Sequence, residues 1–183
     1  MNLAVAIVIA AVVITGAIVV VFVMRQRSVR LQRRFGPEYE RAVRESGSKY
    51  RAESRLGKLE KRVGKFEIRP LSSEERMRYR ERWKAIQARF VDDPDMALQQ
   101  ADEIINEVMS ACGYPMTNFE DQAAQLSVDH PLIVEHYREA HAIAVRRARR
   151  EGSTEDVRRA LIHYRSLFEE LVAEPIPVGV NRF

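Results

Sequence analysis

The sequence is poor in cysteine, because Cys112 is the single cysteine among 183 residues. One cysteine does not suffice for an internal disulfide, so the fold is not a disulfide scaffold and the composition is typical of a reducing compartment. Cys112 lies beside apolar residues where a helix is predicted to end. We therefore expect it to pack rather than to react.

Motifs of catalysis are also missing. The sequence contains no glycine-rich phosphate loop after a strand, no Gly-x-Ser-x-Gly and no His-Glu-x-x-His. We therefore predict that the protein is not an enzyme and holds no cofactor and no metal. The alternative is a metal or enzyme site built on His136, Glu139 and His141, but the two histidines lie about 140° apart around a helix. His141, one turn from Tyr137, is expected to make a structural hydrogen bond instead.

Charged side chains are absent from Leu3 to Met24, a run of 22 residues. As a helix this run would extend over roughly 33 Å, which matches the hydrocarbon core of a bilayer. Fourteen of its residues are Val, Ile, Leu or Phe. At about −0.3 to −0.6 kcal/mol each, these favour insertion by roughly 4 to 8 kcal/mol. We therefore predict a transmembrane anchor over residues 1–24.

Basic residues follow the apolar run and do not precede it. A cleaved secretory signal would have basic residues first, then a shorter apolar core and a cleavage site with small residues. Since Lys and Arg that flank a membrane helix stay on the cytoplasmic side, we predict an uncleaved single-pass protein. Its N-terminus would lie outside and the remaining chain in the cytoplasm. The membrane-flanking basic residues are Arg25, Arg27, Arg30, Arg33 and Arg34.

Residues 25–70 are predicted to form a basic juxtamembrane segment with two helices. Basic residues exceed acidic ones by nine from residue 25 to 69, whereas acidic residues exceed basic ones by five from residue 70 onward. Pro37 and the break at 46–48 bound the first helix, and residues 49–66 form the second. The second helix carries an apolar stripe, our candidate lipid or partner face. This stripe comprises Leu56, Leu59, Val63 and Phe66, with Ala52 on the same side.

The apolar stripe has three candidate partners. It could dock on the distal domain, lie on a membrane with its basic face on anionic headgroups, or pair with a second copy as a short coiled coil. Two heptads are few for a coiled coil, and Gly57 and Gly64 each weaken a helix by about 1 kcal/mol. We therefore rank docking first, the membrane surface second and the coiled coil third.

The distal part of the chain, residues 71–174, shows helical spacing and no alternating strand pattern. Four long helices and one short one, joined by short loops, predict an all-α fold. We expect a four- to five-helix antiparallel bundle with Trp83 near its centre, followed by a tail over residues 175–183. Helix starts are predicted at Ser72 with Glu75, Asp93 before Pro94, Thr117 with Glu120, Asp129 before Pro131, and Ser153 with Asp156.

The basic composition does not indicate nucleic-acid binding. Aromatic residues of the basic segment are scattered rather than arranged as a stacking platform, and the cluster at 146–150 is explained by a helix C-terminus. We expect the lipid bilayer and an unidentified protein as partners. A homo-oligomer stays open, because Ala6, Ala10 and Ala17 share a helix face but no Gly-x-x-x-Gly is present.

Several segments resemble a group of bacterial membrane-anchored or signal-bearing helical proteins that has no assigned activity. The segments are residues 31–48, 89–94, 126–131, 136–144 and 154–171. This resemblance implies a bacterial source, and hence the inner membrane as location, but it supplies no functional residues. The sequence thus predicts a non-enzymatic, membrane-anchored helical domain that presents a protein-interaction surface. The alternative is a peripheral element that binds anionic lipid through residues 49–66.

Overall fold

The computed structural model describes residues 3–173, and for residues 3–10 it describes the backbone alone. Eight α-helices account for most of this range, which contains no strand. The prediction of an all-helical protein is therefore confirmed. The helices are α1 (Leu3–Phe35), α2 (Pro37–Ser46), α3 (Lys49–Val63), α4 (Ser73–Arg89), α5 (Pro94–Ala111), α6 (Phe119–Asp129), α7 (Val134–Ala148) and α8 (Thr154–Leu171).

The chain divides into two compact units, Met1–Gly57 and Lys58–Phe183. The division falls within α3, so the two halves of this helix belong to different units. The finer division expected from the sequence, with boundaries after residues 24, 70 and 174, stays a prediction. Its C-terminal tail, 175–183, lies outside the described residues.

The longest helix, α1, belongs to the first unit. It continues through the arginines after Met24 and ends at Phe35, so the apolar run and the start of the expected linker form one helix. Within it, Ala11–Phe35 is long and apolar enough to cross a membrane, with a mean hydropathy of 1.7. Membrane anchors and signal sequences share this property.

The short helix α2 is bounded as the sequence predicts. Pro37 occupies its first position, where the missing N–H breaks no helical hydrogen bond. Gly47 ends it in the left-handed conformation with φ of 61°, and the Gly47 amide donates a hydrogen bond to the Val43 carbonyl. The buried apolar residues of the first unit are Leu31, Phe35, Tyr39, Ala42, Ala52 and Leu56.

The core of the second unit is formed largely by α4, α5, α7 and α8. Trp83 of α4 is buried and stacks on Phe168 of α8, with 4.7 Å between the ring centroids. Trp83 is thus a core residue, as predicted. Three helix starts are also confirmed, each with a side chain that accepts a hydrogen bond from the first turn. These N-cap residues are Ser72, Asp93 and Ser153.

The predicted start of α6 is wrong by one residue. Asn118, and not Thr117, is the N-cap, because the Asn118 side chain accepts a hydrogen bond from the Asp121 amide at 3.0 Å. Asparagine is the better cap of the two residue types. The expected pairing of Thr117 with Glu120 therefore does not form the start of this helix.

The predicted start of α7 is also wrong. Asp129 is the last residue of α6, and its carboxylate accepts a hydrogen bond from the Tyr114 hydroxyl at 3.2 Å. A turn that contains Pro131 follows, and α7 begins at Val134 without a side-chain cap. The residues at 129–131 thus end one helix instead of opening the next.

The end of α5 packs against residues 67–69. The Arg69 amide donates a hydrogen bond to the Cys112 carbonyl at 2.9 Å. Gly113 adopts a φ of +93°, and a Cβ atom there would lie 2.5 Å from the Glu67 carbonyl oxygen. Only glycine fits at this position. Cys112 is buried, and burial raises the pKa of its thiol, which agrees with a packing role.

Candidate functional site

The five predicted membrane-flanking arginines all lie on α1, and all are exposed. Arg27 differs from the others, because its guanidinium lies 3.1 Å from the position that a Cβ atom on Gly57 would take. The other four line a groove of about 730 Å³ along one side of α1. The residues of this groove are Phe22, Arg25, Gln26, Val29, Arg30, Arg33 and Arg34.

The candidate lipid or partner face on α3 is largely buried. Leu56, Leu59 and Val63 are only 3%, 8% and 3% exposed, and Phe66, beyond the end of the helix, is half-buried. The chain itself therefore covers most of this apolar stripe. The exposed side of the same segment is largely basic and includes Arg51, Lys58, Lys61, Arg62 and Lys65.

A polar contact that the sequence did not predict joins α1, α2 and the first half of α3. Glu53 of α3 accepts hydrogen bonds from the Ser28 hydroxyl of α1 at 2.5 Å and from the Tyr39 hydroxyl of α2 at 2.9 Å. Burial, followed by the hydrogen bond and the charge of Glu53, raises the pKa of Tyr39 to about 12. Tyr39 therefore stays protonated and donates at neutral pH, so the contact is structural.

The second unit contains a cleft of about 520 Å³ between α5 and α7. Its walls combine small apolar side chains with charged ones. Leu98 is buried, whereas Val145 is 38% exposed. The lining residues are Asp95, Leu98, Gln99, Asp102, Glu103, His141, Ala144, Val145, Arg147 and Ala148.

Asp102 is the most connected residue of the cleft. Its Oδ1 atom accepts a hydrogen bond from the Tyr164 hydroxyl of α8 at 2.5 Å, and the Asn106 amide donates to its Oδ2 atom at 3.3 Å. The Nδ1 atom of His141 lies 3.9 Å from Oδ1, which is ion-pair rather than hydrogen-bond distance. Because the donors and the imidazole outweigh the effect of burial, the pKa of Asp102 lies below its ordinary value.

The imidazole of His141 is held by an aromatic ring rather than by Tyr137. It stacks on Phe119 of α6, with 3.6 Å between centroids and 10° between planes. The Tyr137 hydroxyl donates instead to Gln122 at 3.1 Å. Acyl transfer would require a nucleophile, and among the described residues that line the cleft none is Ser, Thr, Cys or Lys.

One end of the cleft is closed by an ion pair between helices. The Arg147 guanidinium, in the last turn of α7, donates to both carboxylate oxygens of Asp95 in the first turn of α5, at 2.5 and 3.0 Å. It also donates to the Gly152 carbonyl at 2.9 Å. The hydrogen bond from Arg147 lowers the pKa of Asp95. This bidentate contact fixes the distance between α5 and α7 at the edge of the cleft.

Two histidines meet away from the cleft. The Nδ1 atoms of His136 on α7 and His163 on α8 lie 2.8 Å apart, so one ring donates to the other. Both rings are half-buried. Burial, and then the charge of His136, lowers the pKa of His163. The partner of His136 is thus His163, and not the His141 that proximity in sequence suggested.

The predicted site residues therefore lie apart. His136 and His141 face different helices, and no group of three or more His, Cys, Asp and Glu within residues 3–173 is placed to hold a metal ion. The contacts of Asp102 join residues 39 and 62 positions apart, which no local motif signals. Comparison with protein-family models, with curated proteins and with solved structures gives no match.

Proposed function

We propose that this chain is a non-enzymatic, single-pass membrane protein whose helical second unit presents a protein-interaction surface. One observation supports the anchor above all: ten large apolar side chains from Val12 to Met24 are each 53–67% exposed. Keeping a Val, Ile or Phe in water rather than in an apolar medium costs about 1.5 to 3 kcal/mol each. A helix that is apolar all round is suited to lipid as its solvent.

The proposed orientation places the N-terminus outside and the second unit in the cytoplasm. The arginines of α1 after Met24 support it, because such residues are retained on the cytoplasmic side. If the resemblance to bacterial proteins holds, the membrane is the bacterial inner membrane. An anchored domain meets other membrane proteins at a raised effective concentration, so even a weak contact would suffice.

The proposed interaction surface is the cleft between α5 and α7, on what we take to be an antiparallel bundle. Its charged groups are largely satisfied within the chain, since Arg147 neutralises Asp95, and Asp102 accepts from Tyr164. Val145, which also lines the cleft, is 38% exposed and offers apolar area. A cleft with neutralised charges and a central apolar contact fits a protein segment better than a small ion. The lipid-binding alternative through residues 49–66 is weakened by the burial of its apolar stripe.

Three measurements on the full chain in cells test this proposal. The protein should remain in the membrane pellet after alkaline extraction.

The second measurement uses Gln99→Cys at the rim of the cleft. Since the second unit is proposed to be cytoplasmic, a membrane-impermeant maleimide should label this cysteine only after lysis. The native Cys112 is buried and should not contribute to the labelling. A photo-crosslinking residue at Val145 should capture a discrete partner or a second copy, whereas the same residue at Val91, 81% exposed, should not. Recovery in the soluble fraction, or equal crosslinking at both positions, would overturn the proposal.

A further inference from the structure

The groove on α1 occupies a single face of the helix. Its seven residues are separated alternately by three positions and by one position in the sequence. This spacing places all seven on the same side of the helix. At 100° per residue, Phe22, Val29 and Arg33 fall within about 40° of one another, and they rise over roughly 16 Å. An apolar strip therefore leads from the bilayer side of the groove directly to a guanidinium.

The charged side chains described in the groove are all basic. Its described lining residues include four arginines and no acidic side chain, and the sequence of α1 contains no Asp or Glu. Arg25 and Arg33 are both exposed and lie roughly 12 Å apart along the axis. Guanidinium groups donate paired hydrogen bonds to phosphate oxygens, and they do so better than ammonium groups.

We infer that this groove binds an anionic phospholipid of the cytoplasmic leaflet. The phosphate lies against the guanidinium groups, beginning at Arg25, and an acyl chain follows Phe22 back into the bilayer. This inference rests on the proposed insertion of α1 into a membrane. Arg25 directly follows the apolar run, so insertion places it at headgroup level. Arg33 lies roughly 12 Å further along the helix, slightly more than the Debye length of about 8 to 10 Å.

The site differs from the lipid-binding face expected on residues 49–66. That face would combine its basic residues with the apolar stripe of Leu56, Leu59 and Val63, which is buried. On α1 the apolar residues Phe22 and Val29 are 61% and 45% exposed, next to exposed arginines. Charge and accessible apolar area thus coincide on α1 and are separated on α3.

Lipid capture by the purified full chain in neutral detergent tests the inference. The protein is incubated with equal amounts of phosphatidylglycerol and phosphatidylcholine, and the lipid retained after affinity capture is quantified by mass spectrometry. We expect several-fold retention of phosphatidylglycerol over phosphatidylcholine. Since each basic residue near an anionic surface strengthens binding about fivefold, Arg25→Gln with Arg33→Gln should reduce that retention by about tenfold or more.

The matched control removes the same charge elsewhere in the first unit. Arg44→Gln with Arg51→Gln changes two exposed arginines of α2 and α3 and should leave retention unchanged. Arg25→Lys with Arg33→Lys should keep most of it, which separates loss of charge from loss of fold. Equal losses in the two Gln pairs, or no preference for phosphatidylglycerol in the native chain, would overturn the inference.

Alkaline extraction separates this inference from the anchor itself. A native chain that stays in the membrane pellet but shows no lipid preference contradicts the groove and leaves the anchor intact. A native chain found in the soluble fraction contradicts the anchor, and with it the lipid site. Retention in the pellet by the Arg25→Gln, Arg33→Gln variant, together with loss of phosphatidylglycerol, supports both.

Discussion

Tyr164 is the residue through which α8 holds the Asp102 side chain of α5. Its ring is fully buried, and its hydroxyl donates to Asp102, which is itself largely removed from water. Burial, with the charge of Asp102 next, raises the pKa of Tyr164, so the hydroxyl remains a donor throughout the accessible pH range. The pair therefore contributes to stability even though it borders the candidate cleft.

Replacing Tyr164 by Phe should destabilise the second unit by about 1.5 to 3 kcal/mol, the usual effect of removing a hydrogen bond to a charged group. Trp83 is the only tryptophan of the chain and is buried in the second unit, so its fluorescence reports urea unfolding of the full chain in detergent. Tyr50→Phe is the control, because Tyr50 is 72% exposed. Equal unfolding midpoints for the two variants would contradict the role assigned to the Tyr164 hydroxyl.

The His136–His163 pair should make stability depend on pH. Because the pKa of His163 in the folded state lies below its ordinary value near 6.5, the unfolded chain binds the proton more tightly. The contribution of this pair is therefore complete above about pH 6.5 and is lost as the pH falls towards the lowered pKa. Glu139 opposes the shift and Arg159 adds to it.

His163→Gln removes the titrating group from this pair. Thermal unfolding of the native chain, followed by Trp83 fluorescence from pH 7.5 to 5, should show a falling midpoint below about pH 6.5. The variant should show a smaller fall over the same interval. If the two midpoints decline in parallel, the histidine pair does not account for the pH dependence.

At the scale of elements, local sequence specifies helix ends where the deciding contacts are local. The Ser72 and Ser153 capping boxes and the Pro37 and Gly47 ends of α2 involve residues within about four positions, and the sequence predicts them correctly. Asp129 shows where such reasoning fails. Its carboxylate accepts from Tyr114, fifteen residues earlier, and this tertiary contact replaces the expected cap.

The candidate cleft could not be predicted for a related reason. Asp102, His141 and Tyr164 lie on three different helices, and each alone fits an ordinary helical pattern. Only the packing of α5 against α7 and α8 brings them together. The arginines of the α1 groove, in contrast, lie close together in sequence on one helix, so the sequence predicts a basic cluster. It does not predict that these arginines share a groove with Phe22 and Val29.

The cap of α6 offers a direct test at this scale, because Asn118 and Thr117 are neighbours with different roles. Asn118→Ala should destabilise the second unit by about 1 kcal/mol, since the Asp121 amide loses its acceptor. Thr117→Ala should change stability by less than about 0.5 kcal/mol. Urea unfolding monitored by Trp83 fluorescence measures both. A larger effect at Thr117 would restore the cap expected from the sequence.

At the scale of the whole molecule, a single helix contains both the proposed membrane anchor and the arginines that set its proposed orientation. Residues 3–35 form one continuous α1, in which an apolar rod passes directly into a basic face. Continuity of the helix across Met24 fixes the arginines at a set depth relative to the apolar run, which a flexible linker would not do. Anchor, orientation and lipid groove therefore depend together on insertion of α1.

Two acidic substitutions in the apolar run should prevent the insertion of α1 into the membrane. Val13→Asp with Ile14→Asp places carboxylates near the middle of the apolar run, at two positions more than half exposed in the folded chain. Two such substitutions cost roughly 6 to 8 kcal/mol, which offsets the roughly 4 to 8 kcal/mol that favour insertion. We therefore expect the variant to leave the membrane pellet on alkaline extraction. Val91→Asp with Leu132→Asp adds the same charge at sites 81% and 75% exposed in the second unit and should stay in the pellet. Retention of both variants would mean that membrane attachment does not depend on the apolar run of α1.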